Sequence, residues 1–129
     1  MLSYIMETEK DFHRRDVLTD IYRGKALLNC YYPLADLRGL LYRLSGREVA
    51  YATIRKKIKD MRIHAKAPRE IFGGQASGVV HQKYVSFGDM KSLFREILSG
   101  NYRERRLSAF LQEESSAASE WLSLREIEI

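Results

Sequence analysis

Two apolar stripes at helical spacing flank the pair Ser45-Gly46, with Leu37, Leu40, Leu41 and Leu44 before it and Ile54, Ile58 and Met61 after it. The first set repeats at i, i+3, i+4 and i+7 and the second at i, i+4 and i+7, so each predicts a helix that buries one face. Pro33 suits the start of the first, because its fixed φ is helical and its missing N–H is one a helix start does not need. Gly46 suits the left-handed residue at which a helix stops. The expected order is a helix over about 34–44, a turn over 45–49 and a second helix over about 50–61.

The second helix carries charge on its outer side. Between Arg47 and Glu70 eight Lys or Arg stand against three acids, a local +5 that equals the net charge of the whole 129-residue chain. Everything else cancels, so the basic character of the protein lies in this one stretch. Ala52, Arg55, Lys56 and Lys59 point away from Ile54 and Ile58. A helix that offers Arg and Lys on one side and buries the other in a small domain fits the DNA major groove.

The length and the 45% hydrophobic content suit one cored domain with appendages, and two prolines and eight glycines argue against a linker array. A pI near 9.4 favours an anionic partner. A single cysteine, Cys30, excludes an intramolecular disulfide and agrees with a reducing, cytoplasmic setting; within ALLNCYY it reads as a small buried hydrophobe. The start MLSYIMETEK is too short in apolar residues for a signal peptide, and no uncharged run reaches membrane-spanning length.

Along the chain, Phe12, Val17, Ile21, Tyr22 and Leu28 approximate one stripe of a helix from Glu7 to about Asn29, with a break expected near Gly24. RIHAK, residues 62–66, alternates like a short strand, and 67–82 hold Pro68, Gly73, Gly74 and Gly78 in a glycine-rich tip before the strand-like KYVSF. The expectation is a hairpin over this region. Ser86 stands three before Asp89 and opens a helix through about Leu98, with Met90, Leu93, Phe94 and Ile97 inward. Beyond Asn101, Arg103, Arg105 and Arg106 give way to Glu113, Glu114, Glu120, Glu126 and Glu128. Ser115–Ser119 read as a joint, and the apolar residues around Trp121, of undecided helix or strand type, call for a partner surface.

This order is that of a winged helix-turn-helix, mainly α with a small β-hairpin, plus an N-terminal helix and a C-terminal extension. The segments EVAYATIRKKIKDMRIHA and KYVSFGDMKSLFREIL resemble the MerR and excisionase-like branch. Thr53, Ile54, Arg55 and Ile58 match that group's recognition-helix pattern, and Tyr84, Ser86, Asp89, Met90 and Leu93 match the strand and helix after its wing. The resemblance covers about 31–99. It implies a DNA-binding, usually dimeric protein of transcription, excision or partition. The domain division is then 1–30 for the N-terminal helix, 31–100 for the DNA-binding unit and 101–129 for a dimerisation or partner segment.

In this reading Tyr51, Ala52, Arg55, Lys56 and Lys59 face the groove, with the Arg55 fork suited to O6 and N7 of a guanine. Lys56 and Lys59 suit phosphates, and Thr53 suits either a phosphate or the helix start. Arg62 belongs to the same set, and Lys66, Arg69 and Lys83 flank a wing, 67–83, that follows the DNA backbone. A solvated cationic face is the plain alternative for a basic helix. His13, His64 and His81 lack ligand partners at metal spacing, GGQASG lacks the Lys-Ser/Thr of a phosphate loop, and no serine has a nucleophile context, so no metal, cofactor or enzymatic activity is expected. Eight tyrosines suit core edges more than base stacking. The expected partner is duplex DNA, read by a homodimer joined through the N-terminal helix, the C-terminal segment or both. The alternative function is a protein-interaction adaptor or inhibitor whose basic helix docks on an acidic protein.

Overall fold

In the computed structural model the described residues are 17–73 and 82–128, and their fold is mainly helical with one small antiparallel sheet. Helix α1, residues 17–28, ends in a turn where Cys30 takes φ 68°. Strand β1 (Tyr31–Pro33) follows, then a single 3₁₀ turn (Leu34–Asp36) and helix α2 (Leu37–Ser45). Gly46 closes α2 at φ 71°, its N–H on the Tyr42 carbonyl at 2.7 Å. At that φ any side chain would crowd the backbone, which is why glycine stands there. Helix α3 spans Tyr51–Asp60, short helix α4 Pro68–Phe72, strand β2 Tyr84–Ser86, helix α5 Phe87–Leu98 and helix α6 Glu104–Glu128. Ser86 caps α5 as its sequence suggests, its Oγ accepting the Asp89 N–H at 3.2 Å.

The sheet departs from the expected hairpin. β2 pairs antiparallel with β1, with Tyr31 opposite Ser86, Tyr32 opposite Val85 and Pro33 opposite Tyr84. The segment 62–66 gives β2 only one bridge, Lys66 to Tyr84, through two hydrogen bonds of 2.8 Å. Two local preferences keep it from forming a full strand. Arg62 is held left-handed at φ 57° where α3 ends, and Pro68 opens α4 almost at once, with Glu70 Oε1 accepting the Ala67 N–H at 3.2 Å. Part of the expected loop is therefore helical; the rest of the glycine-rich tip, 74–81, lies outside the described residues.

One core joins every layer: Leu27 of α1, Tyr32 and Val85 of the sheet, Leu37, Leu40 and Leu41 of α2, Ile54 of α3, Met90, Leu93 and Phe94 of α5, and Leu107, Leu111 and Ala118 of α6. Three further expectations are corrected here. Cys30 is exposed, because the left-handed turn carries it out of the apolar run. α1 passes unbroken through Gly24, and the glycine instead lets α6 approach, since a methyl group there would meet Leu122 at 3.3 Å. Ser115–Ser119 are no joint: α6 runs through them, and the Ser115 hydroxyl donates within reach of two carbonyls, Leu111 at 2.9 Å and Leu27 on α1 at 3.3 Å. Small side chains there suit close helix packing as well as they suit a loop. The expected N-terminal helix before residue 17 lies outside the described residues.

Tyr84 has no exposed surface, and its hydroxyl has no hydrogen-bond partner among the described residues. Burial pushes its pKa up to about 12, and burial followed by the Asp36 carboxylate does the same to Tyr32. The folded state thus disfavours both phenolates, so stability is full below the ordinary tyrosine pKa of about 10 and falls as pH rises through about 12. Tyr84→Phe removes an unpaired polar atom and is expected to raise unfolding free energy at pH 7 by ~1 kcal/mol. It should also lessen the alkaline loss between pH 10 and 12. Urea unfolding at the two pH values checks both; a loss of stability on removing the hydroxyl would show that it has an uncounted partner.

Candidate nucleic-acid interface

Helix α3 is amphipathic in the sense its sequence implies. Ile54 is fully buried, Ile58 and Met61 are half-buried against the core, and Tyr51, Ala52, Thr53, Arg55, Lys56 and Lys59 are exposed. At 100° per residue, Tyr51, Ala52, Arg55, Lys56 and Lys59 span one outward arc, while Thr53 lies at its edge. Asp60 is also exposed, at the end of the helix. The fourth lysine or arginine of α3, Lys57, turns toward α5 and pairs with Glu96 at 3.7 Å. Arg55, Lys56 and Lys59 make no ion pair among the described residues. The Arg55 guanidinium lies 5.8 Å from the centroid of the Tyr51 ring, one turn earlier, which lays it along the helix surface.

α3 is fixed on three sides. The α2–α3 connection leaves Gly46 and enters α3 at Ala50, which offers no side-chain cap. α5 packs behind it through the buried Ile54 side and the Lys57–Glu96 pair. At its far end the Arg62 turn leads into 62–67. There His64 Nε2 meets Glu70 Oε2 at 2.7 Å, and that contact is the main cause holding the Glu70 carboxyl below its usual range.

The other expected contact residues are more dispersed. Arg62, Arg69 and Lys83 are exposed, on the turn after α3, on α4 and just before β2 respectively. The Lys66–Tyr84 bridge sets Lys66 beside the strand that Lys83 precedes. Lys66 itself is half-buried and committed to Tyr31: its Nζ donates to the hydroxyl at 3.2 Å and lies 5.5 Å from the ring centroid. His64 is engaged with Glu70, while His13 and His81 lie outside the described residues.

A second group of cations collects at the end of α2. The Arg106 guanidinium on the first turn of α6 donates to the Leu44 carbonyl at 3.3 Å, and Arg43 lies 5.1 Å from the centroid of the Phe110 ring. Arg47, in the turn after α2, lines a cleft of about 360 Å³ together with Thr53, Lys57 and Glu96. The triplet Arg103, Arg105 and Arg106 is conspicuous in the sequence, but nothing in its spacing places it beside α2. No family model, curated protein or solved structure matches this chain. Among the described residues no helix is long and apolar enough to cross a membrane.

Proposed function

We propose that this protein binds duplex DNA through a winged helix-turn-helix of the MerR and excisionase-like kind, with α3 in the major groove and 67–83 along the backbone. The observation that carries the reading is the outward arc of α3, where Arg55, Lys56 and Lys59 stand exposed and, among the described residues, without ion pairs opposite a fully buried Ile54. Leaving three cations unneutralised side by side on a rigid, core-anchored helix has a use when phosphates arrive. The order α1, β1, α2, α3, bridge and β2 supports the same reading, because it ties α2 and α3 to a small sheet.

The protein acts as a homodimer in this proposal, in the regulation of transcription or in the excision or partition of a mobile element. Along α6, Phe110, Ala117 and Leu124 recur every seven residues, and Leu124 is 63% exposed, so the apolar surface of α6 continues past the part covered by its own core. Leu124→Glu is expected to convert a dimer into a monomer in sedimentation equilibrium while leaving the fold intact. A wild-type monomer at tens of micromolar would exclude α6 as the dimer surface.

The direct test is a fluorescence-anisotropy titration into labelled duplexes. Six to ten phosphate contacts would lower affinity by ~10³ to 10⁵ between about 50 and about 200 mM salt. Arg55→Ala is expected to cost about 1 to 3 kcal/mol and to relax preference at one base pair, whereas Lys59→Ala should weaken all duplexes alike and lower the salt slope by about 1. Equal and negligible losses for the two variants, or salt-insensitive binding to an acidic protein with none to duplex, would replace this reading with the adaptor.

A further inference from the structure

We infer that the arginines where α2 meets α6 form a second phosphate-contact surface, which grips the backbone of the same duplex beside the groove that α3 enters. This rests on the duplex-binding reading above. Arg43, Arg47, Arg103, Arg105 and Arg106 are all exposed, and none forms an ion pair among the described residues. The nearest acid in α6, Glu104, is turned to Arg95 at 3.5 Å on α5. Glu48 is the one other acid in these two stretches, and the next acid along α6 is Glu113, seven residues or about 10 Å beyond Arg106. Net positive charge is therefore concentrated at this end of α6 and net negative charge toward its other end.

Two features distinguish this patch from a merely solvated one. First, two of its side chains are held before any ligand arrives. Arg106 commits a single N–H to the Leu44 carbonyl and Arg43 rests on the Phe110 ring, so the forks keep their remaining donors while losing rotamer freedom. Every cation in it is arginine, whose planar fork matches two phosphate oxygens. Second, the patch lies near the start of α3. Arg47 lines the same cleft as Thr53, in the first turn of α3, together with the acids Glu48 and Glu96, and Arg106 reaches the Leu44 carbonyl three residues before Arg47. Phosphate contacts of this kind fix register and orientation and carry no base preference.

The test uses the full chain and a labelled duplex of random sequence, with salt slopes measured for the wild type, for R103Q/R105Q and for R103Q/R105Q/R106Q. The double variant leaves the Arg106–Leu44 bond in place, and its two side chains make no hydrogen bond or ion pair among the described residues, so its thermal melt should match the wild type. Each lost phosphate contact should reduce the slope by about 0.9, giving about 2 for the double variant, with equal losses on every duplex sequence. A steep wild-type slope that the double variant leaves unchanged would overturn this inference alone. No wild-type binding to duplex at low salt would overturn the duplex-binding reading and this inference with it.

Discussion

Phe94→Ala is expected to destabilise the protein by ~3 to 5 kcal/mol, because a fully buried ring is removed from the one core that α1, α2, α3, α5 and α6 share. That is a large share of the ~5 to 15 kcal/mol by which a domain of this kind is stable. The cost is high because Phe94 belongs to a core drawn from different elements. In that core Leu40 and Leu41 on α2, Leu93 on α5 and Leu107 and Leu111 on α6 are each tied by their own helices, so a cavity cannot collapse cheaply. Chemical denaturation should show the midpoint fall while the slope stays constant. A loss below ~1 kcal/mol would mean that the site relaxes freely.

Replacing Arg55, Lys56 and Lys59 together by glutamine should abolish most duplex binding without harming the fold. At about 50 mM salt each phosphate contact contributes roughly tenfold to affinity and a bidentate base contact about as much, so the loss should be on the order of 10³-fold. All three side chains are exposed and, among the described residues, none is in an ion pair or belongs to the core, so the melting temperature should hold within a degree or two. The same substitution at Lys57 offers a control. Lys57 is already paired with Glu96 beneath the arc, and Lys57→Gln should change binding several-fold at most. If the triple variant binds as the wild type does, α3 is a solvated face and the proposed interface is wrong.

Periodicity made the helices readable. α3 and α5 fall within about two residues of their expected spans, and α2 ends within one residue of its expected end but begins at Leu37 because 34–36 form a 3₁₀ turn; Gly46 closes α2 and Ser86 caps α5, while α3 is marked by its apolar stripe alone. The exposed arc of α3 follows from the same spacing. What the sequence obscured was long-range. Nothing local in Tyr31–Pro33 announces that it pairs with Tyr84–Ser86, and a proline in the run argues against a strand there. Its position is tolerated because the edge it occupies needs no further donor. α4 was legible in principle: a proline followed two residues later by glutamate is a helix start, but the glycines after it drew the reading toward a hairpin. In α6, SSAAS reads locally as a break, whereas packing against Leu27 and Gly24 selects small side chains on a continuous helix. The α2–α6 arginine patch is tertiary in the same way. Arg106 and Leu44 meet across a sequence separation of 62 residues.

α6 is a single helix of 25 residues that is fastened near both ends, at Leu44 through Arg106 and at Gly24 through Leu122. A helix of that kind works as a ruler. Adding one residue between the two fastenings would advance the far end by about 1.5 Å and turn it by about 100°, swinging Leu122 away from Gly24. The spacing between the arginine end and the leucine end is therefore set by both helical phase and length: insertions of three or four residues return Leu122 to the side facing α1 but carry it about 4.5 to 6 Å past Gly24, and insertions of one or two leave it facing the wrong way.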